Sequence, residues 1–460
     1  MIRYTLLLLA FLLVTASPTS AHGETAHHLD GTSVNRASTV ANRLADPPPQ
    51  TTELENGVRV HMTPYETDGH ATVRLAIRAG SAYESASEAG LADVTARWMA
   101  RRSASTERGA VRLDVRMTPD AMVFSADVAA SAVPSTIKRL RDLADNRDVG
   151  VTRGSELDAA RNETAARFEQ TTSVPSDARQ QLREALYGGA SYGRPQPAPR
   201  QIQSYTPADL ESFMARFVAP ERTDLYVVGS FRPADVLEAA TKHIEPWTAT
   251  ATGPSLRVRT PKATDVVVVD RAGRSEVAIA VGAPVVDPGH TDYAALQVAT
   301  TLIGGGHASR LAQASLPEAT SSPYSLLSAH RRTTYWASVV ATRPTQTRPA
   351  VQAIRRILRD LRETTPDTMA VRRAQTMLID RFLMQSSTRD GLTEQMMFLG
   401  RHDLNVDYFL TYRERLQAVS PSDVQRVVQT YLSPERLTYV VTGPKRIIDP
   451  QIAPVERQMP

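Results

Sequence analysis

The stretch "TPADLESFMARFVAPERTDLYVVGSF" (206–231) recurs, altered but without a gap, as "SPSDVQRVVQTYLSPERLTYVVTGP" (420–444). Pro207 and Pro421, Asp209 and Asp423, Val227 and Val441, and Gly229 and Gly443 all stand 214 residues apart. So do the Pro-Glu-Arg triplets at 220–222 and 434–436, and Arg167-Phe168 and Arg381-Phe382. That many matches at one offset imply a duplicated domain. Each copy reads as a helix followed by a short apolar run of strand character. The repeat is therefore a whole mixed α and β unit, not one turn of a solenoid.

Working outward, "GVRVHMTP" (57–64) and "HATVRLAIRAG" (70–80) alternate like half-buried strands. Helical spacing follows at 88–101, 134–145, 155–171 and 206–217. In the second copy "DVVVVD" (265–270) and "EVAIAVGAP" (276–284) read as strands, and "DYAALQVATTLIGGG" (292–306) as a helix stopped at its glycines. Further helices are expected at 346–363, 366–385 and 420–431. The Thr-, Ala- and Pro-rich segment 248–264 reads as a linker. It separates an N-terminal domain, 51–247, from a C-terminal domain, 265–446, with a tail at 447–460.

The chain has 460 residues, 42% apolar and 22% charged, which suits two globular domains. A net charge of +4 without a dense basic block gives no reason to expect a nucleic-acid partner. There is no cysteine, which excludes disulfides, thiolate metal sites and a cysteine nucleophile. "MIRY", the apolar run "TLLLLAFLLV" and the small-residue stretch "TASPTSA" make a secretory signal pattern over 1–21, with cleavage expected after Ala21. The run is too short for a transmembrane segment. The mature chain then starts at His22, with a flexible leader over 22–50. The expected compartment is outside the cytoplasm, periplasmic or secreted. His22, His27 and His28 are polar leader residues that could in principle chelate a metal. His61 and His70 read as solvated loop histidines.

One further stretch carries the chemistry: "EAGLADVTARWMA" (88–100), just after "RAGSAYES" (78–85). Together with "LENGVRV" (54–60), "ALYGGASYGRP" (185–195), "DLESFMARFVAPERTDLYVVGSF" (209–231), "DYAALQVATTLIGGGHASRL" (292–311) and "SPYSLLSAH" (322–330), it forms an ordered set of landmarks across nearly the whole mature chain. In this the chain resembles the insulinase/pitrilysin family of zinc peptidases, in its short two-domain branch similar to mitochondrial processing peptidase. The resemblance implies an α+β architecture of two homologous α/β domains arranged around a cleft.

Active members of that family carry His-x-x-Glu-His on this helix. Two histidines four apart share one zinc, and the glutamate between them acts as general base. The resemblance places those positions at Asp93, Ala96 and Arg97. Arg97 has no lone pair to offer a metal, and Ala96 has no group that moves a proton. An Asp93–Arg97 ion pair is expected where active relatives hold zinc. A third ligand would come from a later helix, where Glu163 and Glu169 both stand. In the C-terminal domain the family's Arg and Tyr fall on Pro317 and Tyr324. Tyr324 is then either a relic of an oxyanion site or a plain strand residue. Arg310 matches a structural position of the family.

No catalytic residue, metal or cofactor is expected. The function this implies is that of an exported, non-catalytic peptidase homologue. Its partner would be an active family paralogue in a heterodimer, or a second copy, with a peptide as possible ligand. The alternatives are a stand-alone binding or scaffold protein of the cell envelope, and an active peptidase with other ligands.

Overall fold

A computed structural model describes residues 48–65, 68–105, 113–145, 154–170, 173–258, 266–314 and 318–456. The signal pattern, the leader histidines and Pro317 lie outside these residues. The first sheet contains β1 (Gln50–Glu53), β2 (Arg59–Pro64), β3 (His70–Ile77), β4 (Asp114–Met117), β5 (Met122–Ala129) and β6 (Thr223–Gly229), in the order β1-β2-β6-β3-β5-β4. The second contains β7 (Val266–Asp270), β8 (Val277–Val285), β9 (Tyr324–His330), β10 (Thr333–Thr342) and β11 (Thr438–Gly443), in the order β7-β11-β8-β10-β9. With β1 set aside the two orders correspond strand for strand. Each sheet has one parallel pair, β2 with β6 and β7 with β11, and is otherwise antiparallel.

The first lobe adds helices α1 (Leu91–Ser105), α2 (Val133–Asp145), α3 (Gly154–Gln170), α4 (Val174–Tyr187), α5 (Pro207–Phe217) and α6 (Pro233–His243). The second adds α7 (Tyr293–Gly304), α8 (Thr347–Glu363), α9 (Thr368–Ser386), α10 (Arg389–His402), α11 (Pro421–Tyr431) and α12 (Lys445–Glu456). Successive strand residues face opposite ways, so each strand sorts its side chains between two cores. Ala71, Val73, Leu75 and Ile77 of β3 join Leu225 and Val227 of β6 under α1, α2 and α5. Ala76, Tyr226 and Val228 face the other way, into a cluster with Leu392, Met396 and Met397 of α10. In the second sheet Val277, Ile279 and Val281 pack under α7, α8 and α11. Ala278 and Ala280 turn instead to Ala178, Leu182 and Leu186 of α4.

The lobes therefore exchange a helix. α4, from the first half of the chain, covers the inner face of the second sheet, and α10, from the second half, covers that of the first. The 214-residue offset carries Val174–Tyr187 onto 388–401, within one residue of α10. Small residues make the approach possible. A Cβ on Gly400 of α10 would lie 2.2 Å from the Tyr226 hydroxyl, and one on Gly282 of β8 would lie 2.9 Å from Leu182. Ion pairs fix both helices. Buried Arg74 of β3 meets Asp390 and Glu394 of α10, and Asp177 of α4 accepts from Arg271 and Arg274 beyond β7.

Several sequence expectations change. β3 is buried on both faces from Ala71 on, because α10 closes the side the alternation leaves to solvent. The expected tail is helix as far as Glu456, with Ile448 and Ile452 in the core. The Gly253 N–H bonds the Arg216 carbonyl and Arg222 donates to the Gly253 carbonyl, so the expected linker is held against the first lobe there. His61 is no loop residue. It stands in β2, largely buried, stacked on Tyr226 at 4.5 Å and 3.4 Å from Asp224. His70 opens β3 and is half exposed.

Candidate functional site

Helix α1 begins where the chain can turn only with glycine: Gly90 has φ +86°, and a Cβ there would meet Pro197 at 2.9 Å. The first turn leaves backbone N–H groups without helical partners. The Glu84 carboxylate takes two of them, from Gly90 at 3.1 Å and Ala92 at 2.8 Å. Burial pushes the Glu84 carboxyl up to about 8; the two N–H donors and Arg194 pull against that, and the nearby Asp93 charge adds to it. Tyr205 donates to the Ala89 carbonyl at 2.7 Å and fixes the approach. Leu91, Val94, Ala96, Trp98 and Met99 then point into the core.

Asp93 is almost wholly buried, with 2% of its side chain exposed. Arg97, one turn on, donates Nε to Asp93 Oδ1 at 2.8 Å. The other oxygen meets Arg167, which reaches across from α3. Glu163, one turn before Arg167, stands 3.6 Å from the Arg97 guanidinium and 3.1 Å from that of Arg101. Three guanidiniums and two carboxylates thus bridge α1 and α3. Ala96 is fully buried beside them. Glu169 lies further along α3 and is exposed.

These residues do not fit a zinc ion. The position that would supply a second imidazole holds a cation. The Asp93 carboxylate is committed to two arginines, and Glu163 to two as well. A dication would have to displace guanidiniums that cannot lose their charge. Among the described residues no group of three or more His, Cys, Asp or Glu is arranged to hold a metal.

In the second lobe Tyr324 opens β9 and is half-buried against the α4 cluster. Burial raises its hydroxyl, with Arg179 pulling the other way. Arg310 heads a short helix, 310–313, capped by Ser309, in keeping with a structural role. α7 ends at Gly304, as the glycine run implies. Glu84, Arg101 and Arg167 were not among the site residues read from sequence. A signal for Arg167 was there: the Arg-Phe pair recurs at 381–382, yet it reads only as a repeat mark until α3 is laid against α1.

Residues 204–378 match the family described as the peptidase M16 inactive domain. The fold matches a protease from Helicobacter pylori with a TM-score of 0.76, at 18% identity over 86% of this chain and 99% of that one. It matches a peptidase M16 inactive domain from Pseudomonas fluorescens at 0.74, with 18% identity over 86% and 98%. Residues 204–378 are thus similar to the M16 inactive domain, and the chain as a whole shares the fold of those two proteins. A chain of Complex III2 from Candida albicans, with Inz-5 bound, also shares the fold, at TM-score 0.73 and 15% identity over 87% of this chain and 99% of that one. A search of curated proteins returns no match. Within this shared fold, α1 and α3 carry an arginine–carboxylate lattice. No helix among the described residues is long and apolar enough to cross a membrane.

Proposed function

We propose that this chain is an exported, non-catalytic M16 subunit that pairs with an active, zinc-bearing paralogue and helps bind its peptide substrates. We read its two lobes as copies of one unit. One observation carries the reading: on α1, Arg97 occupies a ligand position and is ion-paired to Asp93 and Glu163, while the base position, Ala96, is sealed in the core. A fold built to position a metal and a base here positions neither, so what remains is its surface for peptide and partner.

The test is metal analysis and partner capture with the purified chain. After incubation with zinc and removal of excess, well under one zinc per chain is expected; about one per chain overturns the reading. Capture from the source cells is expected to recover a paralogue with an intact His-x-x-Glu-His. A chain that stays unaccompanied at all protein concentrations overturns the pairing. The second reading, a stand-alone envelope binding or scaffold protein, draws support from Tyr324. Tyr324 is half-buried against the cluster that α4 joins, with Arg179 of α4 acting on its hydroxyl, where an oxyanion-binding phenol would need to face a substrate.

A further inference from the structure

Among the described residues only four large apolar side chains stand well exposed, and three lie on α9: Met369, Met377 and Met384, at 55%, 37% and 73%. At the 214-residue offset α3 carries Ser155, Glu163 and Gln170 instead. The apolar stripe therefore belongs to α9 and not to the general pattern of the lobe. At 100° per residue, Arg373, Asp380 and Met384 run down the middle of the stripe. Met369 and Met377 flank them within about 40°, and Arg372 and Arg381 lie about 80–100° out on opposite sides. The stripe lines an open trough, with Thr376 between its ends. Neither Arg373 nor Asp380 has an ion-pair partner among the described residues.

The arrangement is self-complementary. A twofold axis beside the stripe, perpendicular to the helix and level with the midpoint of Thr376 and Met377, brings α9 of a second copy antiparallel to the first. Met369 then faces Met384, and Arg373 faces Asp380, each contact occurring twice. Arg372 faces Arg381 only on the flanks, where the long stems cover apolar surface while the heads stay in water. We propose that this face is a self-association seam, and that its occupant is α9 of a second copy of this chain. Helices packed this way lie about 8–10 Å apart, close enough for both ion pairs. A seam one helix long, about 28 Å, buries well under the ~1,200 Å² of a stable interface, so the dimer is weak and concentration-dependent. This proposal does not rest on the loss of the zinc site, and its failure leaves that reading untouched.

Sedimentation of the full chain from about 10 µM to about 1 mM is expected to show a reversible monomer–dimer shift. Asp380→Arg and Arg373→Asp, each of which puts like charges in register, are each expected to cut dimer at a given concentration about tenfold or more. The double substitution restores it, because the pairs re-form with their signs exchanged. The chain has no cysteine, so Met369→Cys with Met384→Cys gives a clean cross-link, expected to trap covalent dimer under mild oxidation. All four residues are exposed, and unchanged circular dichroism checks the fold of each variant. A monomer throughout, or a double variant no better than the singles, overturns the seam; in the first case the face is left to a partner of different sequence, and in the second the copies associate elsewhere.

Discussion

Removing both arginines that hold Asp93 exposes how the α1–α3 lattice works. The Asp93 side chain is 2% exposed, against 15% for Arg97 and 36% for Arg167, so the arginines can swing into water and the carboxylate cannot. Arg97→Ala leaves Asp93 with Arg167, and Arg167→Ala leaves it with Arg97. Each loses one charged hydrogen bond, discounted for the arginine's partial exposure, at a cost of about 1–2 kcal/mol. The double variant leaves a buried anion with no cation and should lose about 3–5 kcal/mol, more than the two singles together. Urea unfolding of wild type, singles and double under one set of conditions measures this. Losses that merely add would refute the reasoning and mean that Asp93 reaches water.

Glu84, pushed up to about 8 by burial, makes a separate pH prediction for the wild type. Its native value lies above its unfolded one, so its contribution is complete below about pH 4.5 and is lost as pH rises toward about 8; Glu84→Gln is expected to flatten that slope in a pH series of unfolding curves. Gly400→Ala drives a Cβ toward the Tyr226 hydroxyl and should cost about 1–3 kcal/mol, partly recovered by adding Tyr226→Phe; no loss in calorimetry would contradict the close approach of α10 to the first sheet. Arg74→Ala strips α10 of its buried cation, leaves Asp390 unpaired and leaves Glu394 with Arg116 alone. Hydrogen exchange of 389–402 is expected to accelerate selectively, and an unchanged rate would remove Arg74 from that role.

What could be read in the sequence was whatever depends on near neighbours. α3, α5, α8, α9 and α11 lie within two residues of their predicted spans, because 3.6-residue periodicity is local. α1 starts at Leu91, three residues later than expected, since Ser85–Glu88 first close a separate short turn. The Asp93–Arg97 contact follows from i,i+4 spacing on one helix. The exchange of α4 and α10 could not be read that way. The periodicity of "VPSDARQQLREALY" gives an apolar face but not its destination, and the alanine-rich surface it meets begins about 90 residues further on. The same holds for Glu163 over Glu169: both are plausible on paper, and only the rotation of α3 against α1 turns one toward Arg97. His61 misled because its strand ends near a turn, while its burial comes from Tyr226, far along the chain.

The exchanged helices also set a timetable for synthesis. The last strand of the first sheet ends at Gly229, but α10, which closes that sheet's inner face, begins at Arg389. At about 5–20 residues per second, roughly ten to thirty seconds separate the two at the ribosome. Through that interval Ala76, Tyr226 and Val228 have no cover, and the first lobe cannot finish folding by itself. Cutting the gene at the segment between the lobes would therefore yield two fragments that each lack one face of their core. They would be soluble only when made together, each serving as the other's chaperone.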